Sequence, residues 1–153
     1  MESNNDPIRV LIDTQLYIFG HGKVDKSAER LLSFLTDHRT EFVVLLSEDL
    51  LDQIRRVARR VRGKDWAGEI LTMIWSSFST EVVTLPREQL DEVPSQFPDI
   101  PTEDIGVFLT AKLGQADVMV SDNRKFVRSA AASQNLFTCL TVDEFLSQYT
   151  NPT

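Results

Sequence analysis

The sequence predicts an α/β protein, a three-layer α/β/α architecture around a central, mostly parallel sheet of about five strands. Three observations lead there. Short apolar runs alternate with longer segments of helical periodicity along nearly all 153 residues. One run, Phe42 to Leu46, is apolar throughout, as a strand covered on both faces requires. The composition, 42% hydrophobic and 25% charged, is that of an ordinary globular chain with apolar side chains enough for one core. The expectation is one domain over residues 8–150, preceded by a flexible tail at 1–7.

Each element follows from local chemistry. Ile8 to Asp13 reads as the first strand, with Pro7 tolerable at a strand start. Leu16, Tyr17, Ile18 and Phe19 come next, and Gly20-His-Gly22 should break any helix begun there. Ser27 is a plausible cap for a helix to about Asp37, with Ala28, Leu31, Leu32 and Leu35 on one face. After the strand Phe42 to Leu46, Ser47 caps an amphipathic helix. Its apolar positions are Leu50, Leu51, Ile54, Val57, Ala58 and Val61, its arginines lie opposite, and Gly63 ends it. Trp66 to Phe78 reads as another helix and Val82 to Leu85 as the third strand.

Arg87 to Pro101, with prolines at 94, 98 and 101, reads as a surface loop or lid. Thr102 should cap a helix bearing Ile105, Phe108, Leu109 and Leu113, closed by Gly114. Asp117 to Ser121 is a short strand leading into Asp122-Asn123, Arg124 to Ser133 a helix, and Phe137 to Leu140 a strand. Thr141-Val-Asp-Glu144 is a capping box that opens a last helix to about Tyr149.

Composition excludes several classes. The longest apolar run is far too short to span a bilayer. Met1 to Pro7 lacks a signal peptide's basic and apolar regions, and the single Cys139 suits a reducing compartment, so a cytoplasmic location is expected. Cys139 falls in an apolar run and reads as a small buried residue. His21 and His38 show no zinc spacing, and Gly20-His-Gly22 lacks the Lys-Ser/Thr of a phosphate loop. The net charge of −7 argues against nucleic-acid binding through charge alone, but the charge is uneven. Arg55, Arg56, Arg59, Arg60, Arg62 and Lys64 form a basic stripe that could contact RNA or a protein partner. Its commonest meaning is a solvated helix face.

The acids carry the functional expectation. Asp13 ends an N-terminal strand, where open α/β sheets place their ligands. Glu48, Asp52, Asp104, Asp117 and Asp122 also lie near strand–helix junctions, which share one edge of a parallel sheet. Glu48 and Asp52 serve equally as first-turn acids complementing a helix dipole. Asp117 begins its strand and belongs at the opposite end.

In order along the chain, Asp13-Thr14, Ser47-Glu-Asp-Leu-Leu-Asp-Gln53, Asp104 to Asn123 and Thr141 to Leu146 resemble the PIN domain, a family of metal-dependent ribonucleases that includes toxins of toxin–antitoxin pairs. The resemblance implies a carboxylate quartet around Mg²⁺ or Mn²⁺, hard cations that take oxygen ligands. It implies Asp13, Asp104 and Asp122 as metal ligands and catalytic groups, with Thr14 and Ser121 orienting water or phosphate. The family's second and fourth acid positions fall at Gln53 and Asn123, which are amides. Asp52 is one residue from the second position, about 100° around a helix, and Glu48 lies nearer the strand end. Implied partners are an RNA substrate, an antitoxin protein and a second copy of the chain. The alternative is a PIN-like module that binds RNA or protein without cutting. A receiver-like or phosphatase domain with Asp13 as nucleophile fits less well, because position 15 is Gln rather than a second Asp.

Overall fold

The computed structural model describes residues 6–150, so most of the expected tail, residues 1–5, lies outside the described residues. The elements are β1 (Ile8–Ile12), α1 (Thr14–His21), α2 (Lys26–Asp37), β2 (Phe42–Leu46), α3 (Glu48–Arg62), α4 (Lys64–Ser77) and β3 (Ser79–Val82). Then follow α5 (Arg87–Gln96), a 3-10 turn (Thr102–Asp104), α6 (Ile105–Leu113), β4 (Val118–Val120), α7 (Arg124–Ser133), β5 (Thr138–Leu140) and α8 (Val142–Thr150). The strands form one sheet in the order β3-β2-β1-β4-β5, and every neighbouring pair is parallel. Helices flank that sheet in a three-layer α/β/α arrangement, as the alternation of periodicities predicts.

This order fixes where a ligand goes. The chain steps outward from β1 to β3, then returns to β4 on the other side of β1. Right-handed crossovers in the two directions put their helices on opposite faces. A crevice therefore opens at the carboxyl ends of β1 and β4, the point where the order reverses.

The central strands are the most apolar. Val10, Leu11 and Ile12 of β1 and Val118, Met119 and Val120 of β4 are all buried. Gly20 stays inside α1 instead of breaking it; a Cβ there would sit 2.6 Å from Leu32 Cδ1 and 2.9 Å from the Ala28 carbonyl. Its missing side chain lets α2 close on α1, and Gly22 is the residue that ends the helix. Ser47 caps α3 by accepting from Leu50 N–H at 3.1 Å, as expected, and Gly63 ends that helix with φ 90°. The Thr141 capping box is present: Thr141 N–H donates to Glu144 Oε1 at 2.8 Å, and Glu144 N–H to Thr141 Oγ1 at 3.3 Å.

Other expectations need correction. The third strand is Ser79–Val82, not Val82 to Leu85: its partner β2 pairs Val43 with Ser79 and Leu46 with Val82. An edge strand has little to bury, so Ser-Thr-Glu-Val shows no apolar signal. Arg87 to Pro101 is not all loop, because its first ten residues are α5, anchored by the buried Val93. Pro86 precedes that helix, Pro94 falls in its last turn, and Pro98 lies beyond its end, so these prolines mark its margins. Asp25, not Ser27, caps α2, accepting from Ser27 and Ala28 N–H at 2.9 and 3.2 Å. Thr102 makes no cap hydrogen bond and opens the 3-10 turn instead. Cys139 is half-buried, and burial pushes its thiol up to about 11.

On one side of the sheet, α8 seals against α2 through an aromatic cluster. Phe145 is fully buried, with ring centroids 4.6 Å from Tyr149, 5.9 Å from Phe42 and 6.1 Å from Phe34. Phe145→Ala removes the shared member and should lower the unfolding free energy by about 3–5 kcal/mol, measured by urea denaturation. A loss under 1 kcal/mol would mean that the cluster does not hold α8 in place.

Candidate active site

The crevice is an open depression of about 470 Å³, lined by five acids from four segments of the chain. Asp13 sits directly after β1. Its backbone N–H still pairs with the Val120 carbonyl at 3.0 Å, continuing the β1–β4 ladder by one bond. The side chain is thereby delivered to the strand end, where Oδ1 accepts from Thr14 N–H at 2.8 Å and caps α1. Oδ2 accepts from Ser121 Oγ at 2.7 Å across the crevice. Ser121 Oγ also accepts from Asn123 N–H at 3.1 Å, which fixes the hydroxyl proton toward Asp13.

Asp104 approaches from the 3-10 turn that opens α6. It is 5% exposed, and its Oδ2 is buried without a hydrogen-bond partner among the described residues. Two buried carboxylates in one crevice resist ionisation. Burial raises the Asp13 carboxyl, against the two hydrogen bonds that favour its charge, and the negative charge of Asp122 adds to the rise. Burial, then the charges of Asp13 and Glu103, push Asp104 up to about 7.

The amides are structural braces. Gln53 Oε1 accepts from Thr14 Oγ1 at 2.8 Å, and its Nε2 reaches the Glu103 carbonyl at 3.4 Å, so it ties the start of α1 to the 3-10 turn. Asn123 caps α7, accepting from Phe126 N–H at 3.2 Å. Both line the crevice, as do Thr14 and the exposed Asp122. Asp122 Oδ1 accepts from Val142 N–H at 3.0 Å, which leaves its second oxygen at the rim.

Three candidate acids are elsewhere. Asp52 points away from the crevice on α3, within 3.4 Å of Arg55 and 3.6 Å of Arg56. Glu48 lines a separate depression with Asp49, Asp52 and the same two arginines. The 100° between Asp52 and Gln53 decides this, since Gln53 faces Thr14. Asp117 lies at the opposite end of the sheet, where Oδ2 accepts from Arg9 N–H at 2.8 Å. Conversely, sequence reasoning missed Asp25 and Glu103, which line the crevice. The Asp-x-Ser spacing of a helix cap was the available signal for Asp25.

The basic stripe is exposed along α3, but it is partly neutralised. Asp52 stands beside Arg55 and Arg56, and the Arg62 guanidinium lies over the Trp66 ring at 4.9 Å.

Among the described residues, no cluster of three or more Asp, Glu, His and Cys side chains is arranged to hold a metal ion. The unpartnered Asp104 Oδ2 beside Asp13 nevertheless fits a hard cation such as Mg²⁺. That ion is commonly bound through one or two carboxylates, with waters and substrate phosphates completing the shell.

The fold is PIN-like. The chain is similar in structure to VapBC2 from Rickettsia felis, seen bound to a DNA fragment from its promoter, with a TM-score of 0.63 and 15% identity over 88% of this chain and 98% of that one. It is likewise similar to PAE2754 from Pyrobaculum aerophilum (TM-score 0.58, 16% identity, 95% and 97% covered). FitAcB from Neisseria gonorrhoeae also matches (TM-score 0.54, 15% identity, 87% and 97% covered). No family model and no curated protein matches the sequence. The similarity is one of fold.

Asp104 gives a test of the crevice without any substrate. Below about pH 4 its carboxyl is protonated in both folded and unfolded chains. As pH rises toward 7 only the unfolded chain releases the proton, so stability falls over that window. Asp104→Asn should therefore stabilise the protein in EDTA at pH 8 by on the order of 2 kcal/mol, with the gain gone near pH 4. Thermal melts across this range would refute the arrangement if the gain did not depend on pH.

Proposed function

We propose that this protein is a Mg²⁺- or Mn²⁺-dependent endoribonuclease, acting as the toxin of a toxin–antitoxin pair and working as a dimer. The observation that carries the reading is the pair of buried carboxylates at the switch point, one with an oxygen that has no donor among the described residues. Burying such a pair costs stability unless a cation offsets it.

Each residue then has a task. Asp13 would be an oriented ligand, because Ser121 Oγ and Thr14 N–H both donate to its carboxyl and fix its direction. Asp104 would hold the cation through Oδ2, the oxygen that accepts no hydrogen bond among the described residues. Asp122 offers its rim oxygen to the same ion or to a water shell. Thr14, with its hydroxyl committed to Gln53, holds the wall instead of contacting substrate. A bound divalent ion would supply Lewis-acid stabilisation of the phosphodiester and a nucleophilic water near neutral pH. The α3 arginine stripe is assigned to an acidic segment of the antitoxin.

Asp13→Asn and Asp104→Asn should each lower Mn²⁺-dependent cleavage of single-stranded RNA by more than about 100-fold, read on gels with purified protein. Ser121→Ala should weaken Mn²⁺ binding by roughly tenfold, since it removes the hydrogen bond that orients Asp13. Cleavage unchanged in Asp13→Asn would end the assignment. The second reading, a module that binds without cutting, draws on the structural use of Gln53 and Asn123 where the resemblance implies acids. Calorimetry separates the two: no heat with Mn²⁺, but retained RNA binding, would favour it.

A further inference from the structure

An acidic crevice repels the polyanion it is meant to receive, so a ribonuclease needs cations beside it. The α3 stripe is the obvious source, yet its charge is spent in part on Asp52 and on Trp66. Helix α7 differs. Arg124, Lys125 and Arg128 are all exposed, while Phe126 and Ala130 on the other side are buried. Helical spacing places the three cations within about 100° of arc. None of them has an ion pair among the described residues, and from Asn123 to Val142 the sequence contains no Asp or Glu at all. In a chain of net charge −7 this is a local reversal of sign.

Its position matters as much as its charge. The residue that caps α7 is Asn123, which lines the crevice next to Asp122. The cationic face therefore begins one residue from the rim and runs outward from it. We propose that the outer face of α7, through Arg124, Lys125 and Arg128, is the track that holds the sugar–phosphate backbone of single-stranded RNA leading into the crevice. The proposal rests on the ribonuclease reading and names the surface that delivers its substrate. A protein partner suits this face less well, because α7 exposes no large apolar side chain to form the core of an interface, whereas spaced phosphates need only exposed cations.

The test is RNA binding in EDTA, where no metal-dependent cleavage proceeds, using labelled oligouridine and fluorescence anisotropy. The triple variant Arg124→Ala, Lys125→Ala, Arg128→Ala should bind roughly tenfold more weakly at low salt. The slope of log affinity against log salt should flatten by about 2, at ~0.7 per lost phosphate contact on a single strand. Arg55→Ala, Arg59→Ala, Arg60→Ala should change both much less. Arg124→Lys with Arg128→Lys, which keeps the charge, should restore the wild-type slope, and unchanged melting of every variant confirms folding. If the α3 variant loses RNA and the α7 variant keeps it, this inference is overturned and the ribonuclease reading stands. If the α7 variant keeps RNA but loses binding of polyglutamate, the face is a protein-docking surface and the inference is again overturned. If the wild-type chain binds no RNA, both fall.

Discussion

The pairing of β1 with β4 is the constraint on which the rest of the molecule depends. These strands are far apart in sequence and adjacent in space, with Ile12 opposite Val120. That register carries Asp13 and Ser121 one step past the ladder to the same height, and the 2.7 Å hydrogen bond between them follows. A slip of one residue would turn Asp13 toward the other face of the sheet. The apolar identity of both strands therefore decides the chemistry of the crevice, because Val10 to Ile12 and Val118 to Val120 fit only one way between covering helices.

Once the register is set, the crevice becomes a problem in burial. Asp13 is desolvated but receives two donors; Asp104 is desolvated and keeps one oxygen bare. The difference explains why Asp104 reaches about 7. Neutral braces surround this pair where further charge would deepen the repulsion. Gln53 can accept from Thr14 and donate toward the Glu103 carbonyl at the same time, which a carboxylate cannot do. The amides thus keep the walls of the crevice together while leaving the charge to Asp13, Asp104 and the rim.

Much of this was legible in the sequence because it depends on short-range chemistry. The central strands, the Ser47 cap, the Gly63 and Gly114 stops and the Thr141 capping box all rest on neighbours within four residues. Asp13 was legible because a carboxylate at a strand end is a local pattern. What failed was set by distant partners. The position of β3 is dictated by β2, and α5 is held by the burial of Val93, which no proline count reveals. Glu48 and Asp52 were plausible until the rotation of α3 was known, since one residue on a helix separates the crevice from solvent. Asp25 was hidden behind its own cap: its nearest polar residue, Ser27, drew the helix start two positions along.

The Asp13–Ser121 bond joins residues 108 positions apart, and the next rim acid, Asp122, leans on Val142 a further 20 along. During synthesis, a chain that has emerged only as far as α6 holds β1 with one edge unpaired and has neither Ser121 nor the residues of α7. Its crevice does not yet exist. Local contacts form early and such distant ones late. Whatever the crevice does, it therefore begins to do only after β4 and the segment up to Val142 have joined the fold.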